Sequence, residues 1–219
     1  MKILGIDEAG RGAVIGPMVI GGVLAEEKDI TKLERIGVKD SKLLTARQRE
    51  RLSPLIKRIA KDYVILKVSA KEIDELRKRI NLNRIEAEKM AQIIKTMKAD
   101  EAYVDAPQVS TQKFKAILMA LAKNKTEIIC ENYADLKYPI CSAASVIAKV
   151  ERDKEIEKIK KKVKHDFGVG YSHDERTIRF LKDLLEKGKY PDFVRKSWIT
   201  ASELKKIKEQ KTLKEYKEK

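Results

Sequence analysis

The sequence is poor in several things, and each shortage excludes a class of function. Nowhere do about eighteen uncharged apolar residues run together, so no membrane-spanning helix is expected. There are two histidines, His165 and His173, too few for a histidine-built zinc site and poor support for a Ser-His-Asp triad. There are also two cysteines, Cys130 and Cys141, and without a histidine cluster they make no zinc site. They read as reduced, partly buried thiols; the alternative is a disulfide of the kind found inside hyperthermophiles. No Gly-Lys-Ser/Thr tail follows a glycine loop, which excludes a P-loop. Nothing like a signal peptide precedes the strand-like MKILGID, so the expected location is the cytosol. Aromatics are only 5%, and no internal repeat is visible.

What the chain has in excess is positive charge. Over 219 residues, Lys and Arg total 49 against 34 Asp and Glu, a formal net charge of +15. That length supports one or two domains, with a core large enough to need no disulfide staples. The charge points to a polyanion partner; the competing reading is a heavily solvated surface with no ligand.

Apolar, β-prone runs occur at Lys2–Ile6, Met18–Leu24, Tyr63–Val68, Ala102–Asp105 and Glu127–Cys130. The short gap between the first two favours an antiparallel pair. Helical periodicity follows Thr45-x-x-Gln48 and Ser69-x-x-Glu72, both with capping-box character, and recurs over Ile85–Met97 and Ser110–Lys123. Ser53-Pro54 can bend or restart the first of these helices. Helices are then expected over Ser142–Val163 and Asp174–Lys187, and after a cap at Thr200-x-x-Glu203, with the Lys/Glu-rich end frayed. This order predicts an α/β fold: an antiparallel part first, then parallel strands joined by a helical crossover. Residues 1–165 are read as the sheet domain and 166–219 as a C-terminal helical subdomain with a basic tail.

Three of these strands lead into acids: Asp7-Glu8, Asp105 and, shortly after the last, Asp135. Any single Asp at a strand end usually serves a turn. Three such ends on one basic chain are another matter, because ligands gather at the carboxyl ends of parallel strands. If the first, fourth and fifth strands are adjacent and parallel, four carboxylates converge. They cannot all stay ionised without a cation. Oxygen ligands alone select hard ions, Mg²⁺ or Mn²⁺, and two such ions could drive a phosphodiester displacement. Gly10-Arg11-Gly12 is either a plain turn or a loop whose backbone approaches a phosphate or sugar hydroxyl. The helix Glu151–Val163 carries Lys158, Lys160, Lys161, Lys162 and, just beyond, Lys164, which read as a solvated face or a phosphate-tracking surface.

Together these segments resemble one family, type 2 ribonuclease H (ribonuclease HII) in its archaeal form. The carrying motifs are GIDEAGRG at Gly5–Gly12, IGP at Ile15–Pro17, GVKDSK at Gly37–Lys42, YVDA at Tyr103–Ala106, ADLKYPICSAASVIAKVERD at Ala134–Asp153 and GVGY at Gly168–Tyr171. The resemblance implies the RNase H fold, with a five-stranded mixed sheet, antiparallel through strands 3-2-1 and parallel through 1-4-5. It implies Asp7, Glu8, Asp105 and Asp135 as catalytic, metal-binding acids holding two Mg²⁺ or Mn²⁺ ions. Gly10, Arg11 and Gly12 match a loop that reads the ribonucleotide 2′-hydroxyl, the group that distinguishes RNA from DNA. Tyr171 matches a tyrosine that stacks on the following deoxyribose. Lys42, Ser142, Ser145 and Lys149 occupy motif positions near substrate, Ser145 being equally a small packing residue.

The implied reaction is hydrolysis of the phosphodiester 5′ to a ribonucleotide, in RNA–DNA hybrids and at single ribonucleotides in duplex DNA. It leaves 3′-hydroxyl and 5′-phosphate ends and serves ribonucleotide repair and primer removal. The chain departs from the family pattern at Ala13, at Asn132-Tyr133 where His-Lys is usual, and at Ser172-His173 where Pro-Ser is usual. The tail residues Gln210, Leu213 and Tyr216 fit a sliding-clamp-binding pattern, while Lys217 does not. The chain is expected to be a monomer with no membrane partner. Two rivals stand: another two-metal nuclease of this fold, of resolvase or integrase type, and a basic nucleic-acid-binding module without catalysis.

Overall fold

The computed structural model describes residues 1–38, 44–107 and 110–217, with side chains through residue 210. Among the described residues, five segments pair as strands: β1 (Lys2–Ala9), β2 (Met18–Glu26), β3 (Asp62–Val68), β4 (Glu101–Asp105) and β5 (Glu127–Glu131). They form one sheet in the order β3-β2-β1-β4-β5. β1 runs antiparallel to β2 and parallel to β4, and β4 runs parallel to β5. The mixed α/β sheet expected from the sequence is present.

The helices are α1 (Ile30–Arg35), α2 (Ala46–Ile59), α3 (Ala70–Leu76), α4 (Leu82–Met97), α5 (Thr111–Ala122), α6 (Ala134–Lys137), α7 (Pro139–Val163), α8 (Glu175–Glu186) and α9 (Ile199–Lys217). Their starts follow capping chemistry. Thr45 accepts from the Gln48 N–H in a full capping box, and Ser69, Asn81, Ser110 and Asp174 each accept from a first-turn N–H. The sequence reading missed α1, which is short and follows a 3₁₀ turn at Glu27–Asp29. Pro54 lies inside α2 and does not end it. Thr200 is already inside α9, so it is not that helix's cap. The backbone stays helical to Lys217, beyond the expected frayed end.

The chain divides into two compact units. The first comprises Met1–Arg11, Val19–Lys67 and Ile80–Asp153; the second, Gly12–Met18, Val68–Arg79 and Lys154–Lys219. In the first, helices cover the sheet closely, and side-chain alternation along β1 shows how. A Cβ on Gly5 would sit 2.2 Å from the Ile140 carbonyl oxygen at the start of α7. One on Gly21, opposite Asp7 in the β1/β2 register, would sit 2.6 Å from the Ala144 carbonyl oxygen. This face of the sheet therefore carries α7, whose small residues Ala143, Ala144 and Ala148 are all fully buried. The next residue along β2, Gly22, meets Ile93 of α4 on the other face. Cys130 and Cys141 are both buried and both free. Burial pushes the Cys130 thiol up to about 12, which leaves it inert.

The second unit is built around its own apolar cluster, with Val14, Ile15, Phe167, Phe180, Leu181 and Val194 at the centre. Three phenylalanines stack in series: Phe167 on Phe180 at 5.2 Å and Phe180 on Phe193 at 6.5 Å between ring centroids. No helix among the described residues is long and apolar enough to cross a membrane.

Candidate active site

β1 extends past Ile6 to Ala9, further than its apolar run suggests. Its parallel pairing with β4 ends at Ile6↔Val104, while its antiparallel pairing with β2 continues through Asp7↔Gly21 and Glu8↔Ile20. Asp7 and Glu8 thus lie on a strand still held on one side, beyond the last parallel pair on the other. Alternation sends them to opposite faces. Asp7 is on the α7 side, where the Ser145 side chain hydrogen-bonds to it. Glu8 is on the α4 side, where the charge of Glu86 acts on it.

Ligating oxygens of Asp7, Glu8 and Asp105 nonetheless lie within 4.8 Å of one another. Asp105, the last residue of β4, uses one oxygen to accept from the Ala134 N–H at 2.8 Å. Asp7 accepts from the Glu8 N–H at 2.7 Å. Asp135 is not a member of this 4.8 Å group. It is carried on the first turn of α6 rather than on β5 itself, is almost fully buried, and its charge acts on Asp7.

The cluster is electrostatically strained. Burial, then the neighbouring Glu8, hold the Asp7 carboxyl well above its ordinary range. Burial, then Glu86, push Glu8 up to about 8, and its Oε2 is shut off from solvent with no hydrogen-bond partner. An all-oxygen donor set with an unsatisfied buried oxygen suits a hard divalent cation. Lys149, half-buried on α7, opposes the charge on Asp7.

The loop after β1 passes through Gly10, whose φ of 80° is left-handed. Arg11 reaches α4, donating from Nε to Glu86 at 3.0 Å and from Nη2 to Asn83 at 2.5 Å. Within the second unit, Gly12 is tied down by the Trp198 indole N–H, which donates to its carbonyl at 3.2 Å. The N–H groups of Val14 and Ile15 donate to the Gly170 carbonyl at 2.9 and 3.0 Å. Tyr171 follows, and its ring carbon would lie 3.9 Å from a Cβ added to Gly12. His173, one of the departures from the family pattern, stacks on the Tyr171 ring at 5.4 Å.

Ser142 is fully buried, and its hydroxyl donates to the Asp135 carbonyl. Ser145 is equally buried. Asn132, another departure, donates to the Ala106 carbonyl at 2.9 Å and so ties the ends of β5 and β4 together. Lys42 lies outside the described residues. Gln210 is exposed on α9; the side chains of Leu213 and Tyr216, further along it, lie outside the described residues.

The model of the family described as ribonuclease HII matches residues 4–201. The chain belongs to the ribonuclease HII family. It is 45% identical to a ribonuclease HII of Pyrococcus horikoshii over 207 residues, 93% of each chain. The crystal structure of ribonuclease H2 from Pyrococcus horikoshii superposes with a TM-score of 0.88 at 45% identity, covering 94% of this chain and 98% of that one. A ribonuclease HII from Archaeoglobus fulgidus, solved as a complex with PCNA, superposes with a TM-score of 0.85 at 41% identity, covering 90% and 95%. Ribonuclease HII membership makes the chain a ribonuclease H, a hydrolase that cuts as an endonuclease, in a family that depends on divalent metal.

Sequence reasoning missed Glu86, Asn83 and Trp198. For Glu86 a signal was available: it shares a helix face with Met90, Ile93 and Met97, all buried, so an acid there is out of place on solubility grounds. For Trp198 the only signal was that it is the sole tryptophan.

Proposed function

We propose that this ribonuclease H hydrolyses the phosphodiester 5′ to a ribonucleotide, both in RNA–DNA hybrids and at single ribonucleotides within duplex DNA. The observation that carries this reading is the convergence of Asp7, Glu8 and Asp105 within 4.8 Å at the end of the parallel strands. These three, with Asp135 beside them, would hold two Mg²⁺ or Mn²⁺ ions. Such ions, when bound, make a water nucleophilic and steady the leaving 3′ oxygen. The protein's own share is positioning: the Glu8 N–H and Ser145 fix the Asp7 carboxylate, the Ala134 N–H fixes Asp105, and Ser142 anchors the backbone at Asp135. Lys149 tempers the negative charge that would otherwise repel a phosphate.

The loop Gly10-Arg11-Gly12 reads the 2′-hydroxyl. Gly12 supports this reading: it is exposed, its φ is not left-handed, and a Cβ there would meet nothing closer than 3.9 Å. Nothing in the protein's own packing therefore requires glycine, whereas a closely approaching ligand backbone would. Tyr171 stacks on the sugar that follows. Residues 1–165 carry the chemistry, and 166–219 carry Tyr171 and the basic tail. Lys42 and the lysines of α7 meet phosphates. Gln210, Leu213 and Tyr216 bind a sliding clamp, a reading supported by the PCNA complex of the Archaeoglobus fulgidus relative. Repair of misincorporated ribonucleotides and removal of RNA primers, in the cytosol and as a monomer, are the roles that follow.

The test is a DNA duplex carrying one ribonucleotide, incubated with Mg²⁺, Mn²⁺ or EDTA beside an all-DNA control. We expect a metal-dependent nick on the 5′ side of the ribonucleotide. Asp7→Asn should lower its rate about a hundredfold or more without unfolding the protein. Cutting of the all-DNA duplex, or cutting in EDTA, would overturn the reading.

A further inference from the structure

Glu86 is a charged residue in an apolar register. It lies on the face of α4 that buries Met90, Ile93 and Met97, and it is 0% exposed. One of its oxygens, Oε1, is buried with no hydrogen-bond partner. Such a carboxylate is a poor choice for stability, since a well-packed apolar side chain would avoid the desolvation cost. What Glu86 does have is Arg11. Its Oε2 accepts from Arg11 Nε at 3.0 Å, and Asn83, three residues earlier and hence on the same face, accepts from Arg11 Nη2 at 2.5 Å.

Two acceptors on one rigid helix thus meet two donors along one edge of a planar guanidinium. That geometry fixes a plane as well as a charge, which a lysine ammonium would not allow. It matters because of where Arg11 sits. Gly10 before it is in the left-handed region, with φ of 80°, and Gly12 after it is exposed, so the local backbone is intrinsically permissive. α4 in turn is firmly seated, with Ile93 against Gly22 of the sheet.

We propose that Glu86 and Asn83 are positioning residues that clamp Arg11 and so pre-organise the Gly10-Arg11-Gly12 loop for a ribonucleotide. The proposal rests on the reading of that loop as the 2′-hydroxyl reader. Glu86 fixes Arg11 electrostatically; Asn83 sets its rotation. With both in place the loop meets its ligand without being ordered first, and that advantage belongs to the ribonucleotide alone.

The experiment compares affinities of the full chain at about pH 8, where Glu86 is ionised, for two duplexes of the same sequence, one all-DNA and one with a single ribonucleotide, in EDTA so that neither is cut. We expect the wild type to favour the ribonucleotide. Glu86→Gln, which keeps shape and an acceptor but loses the charge, and Asn83→Ala should each lower that preference about tenfold. The loss should fall on the ribonucleotide duplex, leaving all-DNA binding unchanged and the melting temperature no lower, and appear in metal-dependent assays mainly as a raised KM. Adding Asn83→Asp to Glu86→Gln, which returns the negative charge to Arg11's other partner, should restore most of the preference. A wild type that discriminates beside a Glu86→Gln variant that discriminates equally overturns the clamp alone. So does a variant whose melting temperature falls in step with its affinity and which Asn83→Asp fails to rescue. A wild type that binds both duplexes alike overturns the loop reading and the clamp with it.

Discussion

A buried carboxylate is ionised only at a cost, and Asp7, Glu8 and Glu86 bear that cost together. Burial, with Glu86 nearby, pushes Glu8 up to about 8, and burial, opposed by Arg11, pushes Glu86 up to about 7, both from an ordinary 4.5. A folded state that holds protons its unfolded chain releases loses stability as pH rises. Without metal, the protein should therefore weaken between about pH 4.5 and about pH 8 through these groups. A divalent cation bound there, as proposed, would supply the missing positive charge, and would do so most where the acids are ionised. Melting curves with and without Mg²⁺ should show a larger stabilisation at pH 8 than at pH 5. Equal increments at the two values would contradict this electrostatic picture. At this scale the sequence was legible where an acid ended an apolar run, as at Asp105, and illegible where an acid hid inside one. Glu86 could be found only by asking which helix face it shares, and its pairing with Arg11 depends on a fold that local periodicity does not specify.

At the scale of elements, the site depends on how closely α7 approaches β1 and β2. The glycines make that approach possible, and the small residues of Ser142–Ala148 complete it. Gly5→Ala would drive a methyl group to 2.2 Å from the Ile140 carbonyl oxygen, a backbone atom that no rotamer change can move. We expect a loss of about 1–3 kcal/mol or more in urea unfolding, with cleavage falling because Ser145 shifts away from Asp7. A Gly5→Ala variant of unchanged stability and activity would mean that α7 does not press on β1 at this point. The strands and most helices were legible from apolar runs and caps, because those are local signals. The errors were local too. β1 outran its apolar stretch because β2 goes on pairing with it past Ile6. α9 started before Thr200, so a capping pattern inside a helix passed for its beginning.

Over the whole molecule, the net charge of +15 is the dominant long-range property. If the lysines of α7 and the tail track a nucleic-acid backbone, affinity for duplex must fall steeply as salt rises. Binding measured at several NaCl concentrations should give a log–log slope of several units, and replacing Lys158, Lys161 and Lys162 with Ala should flatten it. A slope near zero would return those lysines to the role of a solvated face. The sheet order and family were legible at this scale, because GIDEAGRG and SAASVIAKVERD are long, specific motifs. The exclusion of Asp135 from the tightest acid cluster was not, since it follows from the short turn of helix that carries it past β5.

The acids at the ends of β1 and β4 are proposed as a divalent cation site. Anomalous diffraction from crystals grown with Mn²⁺ tests this most directly. It should place a peak in contact with Asp7, Glu8 and Asp105, lost in Asp7→Asn. A saturating Mn²⁺ soak that leaves those three carboxylates empty, or puts the metal elsewhere, would contradict it.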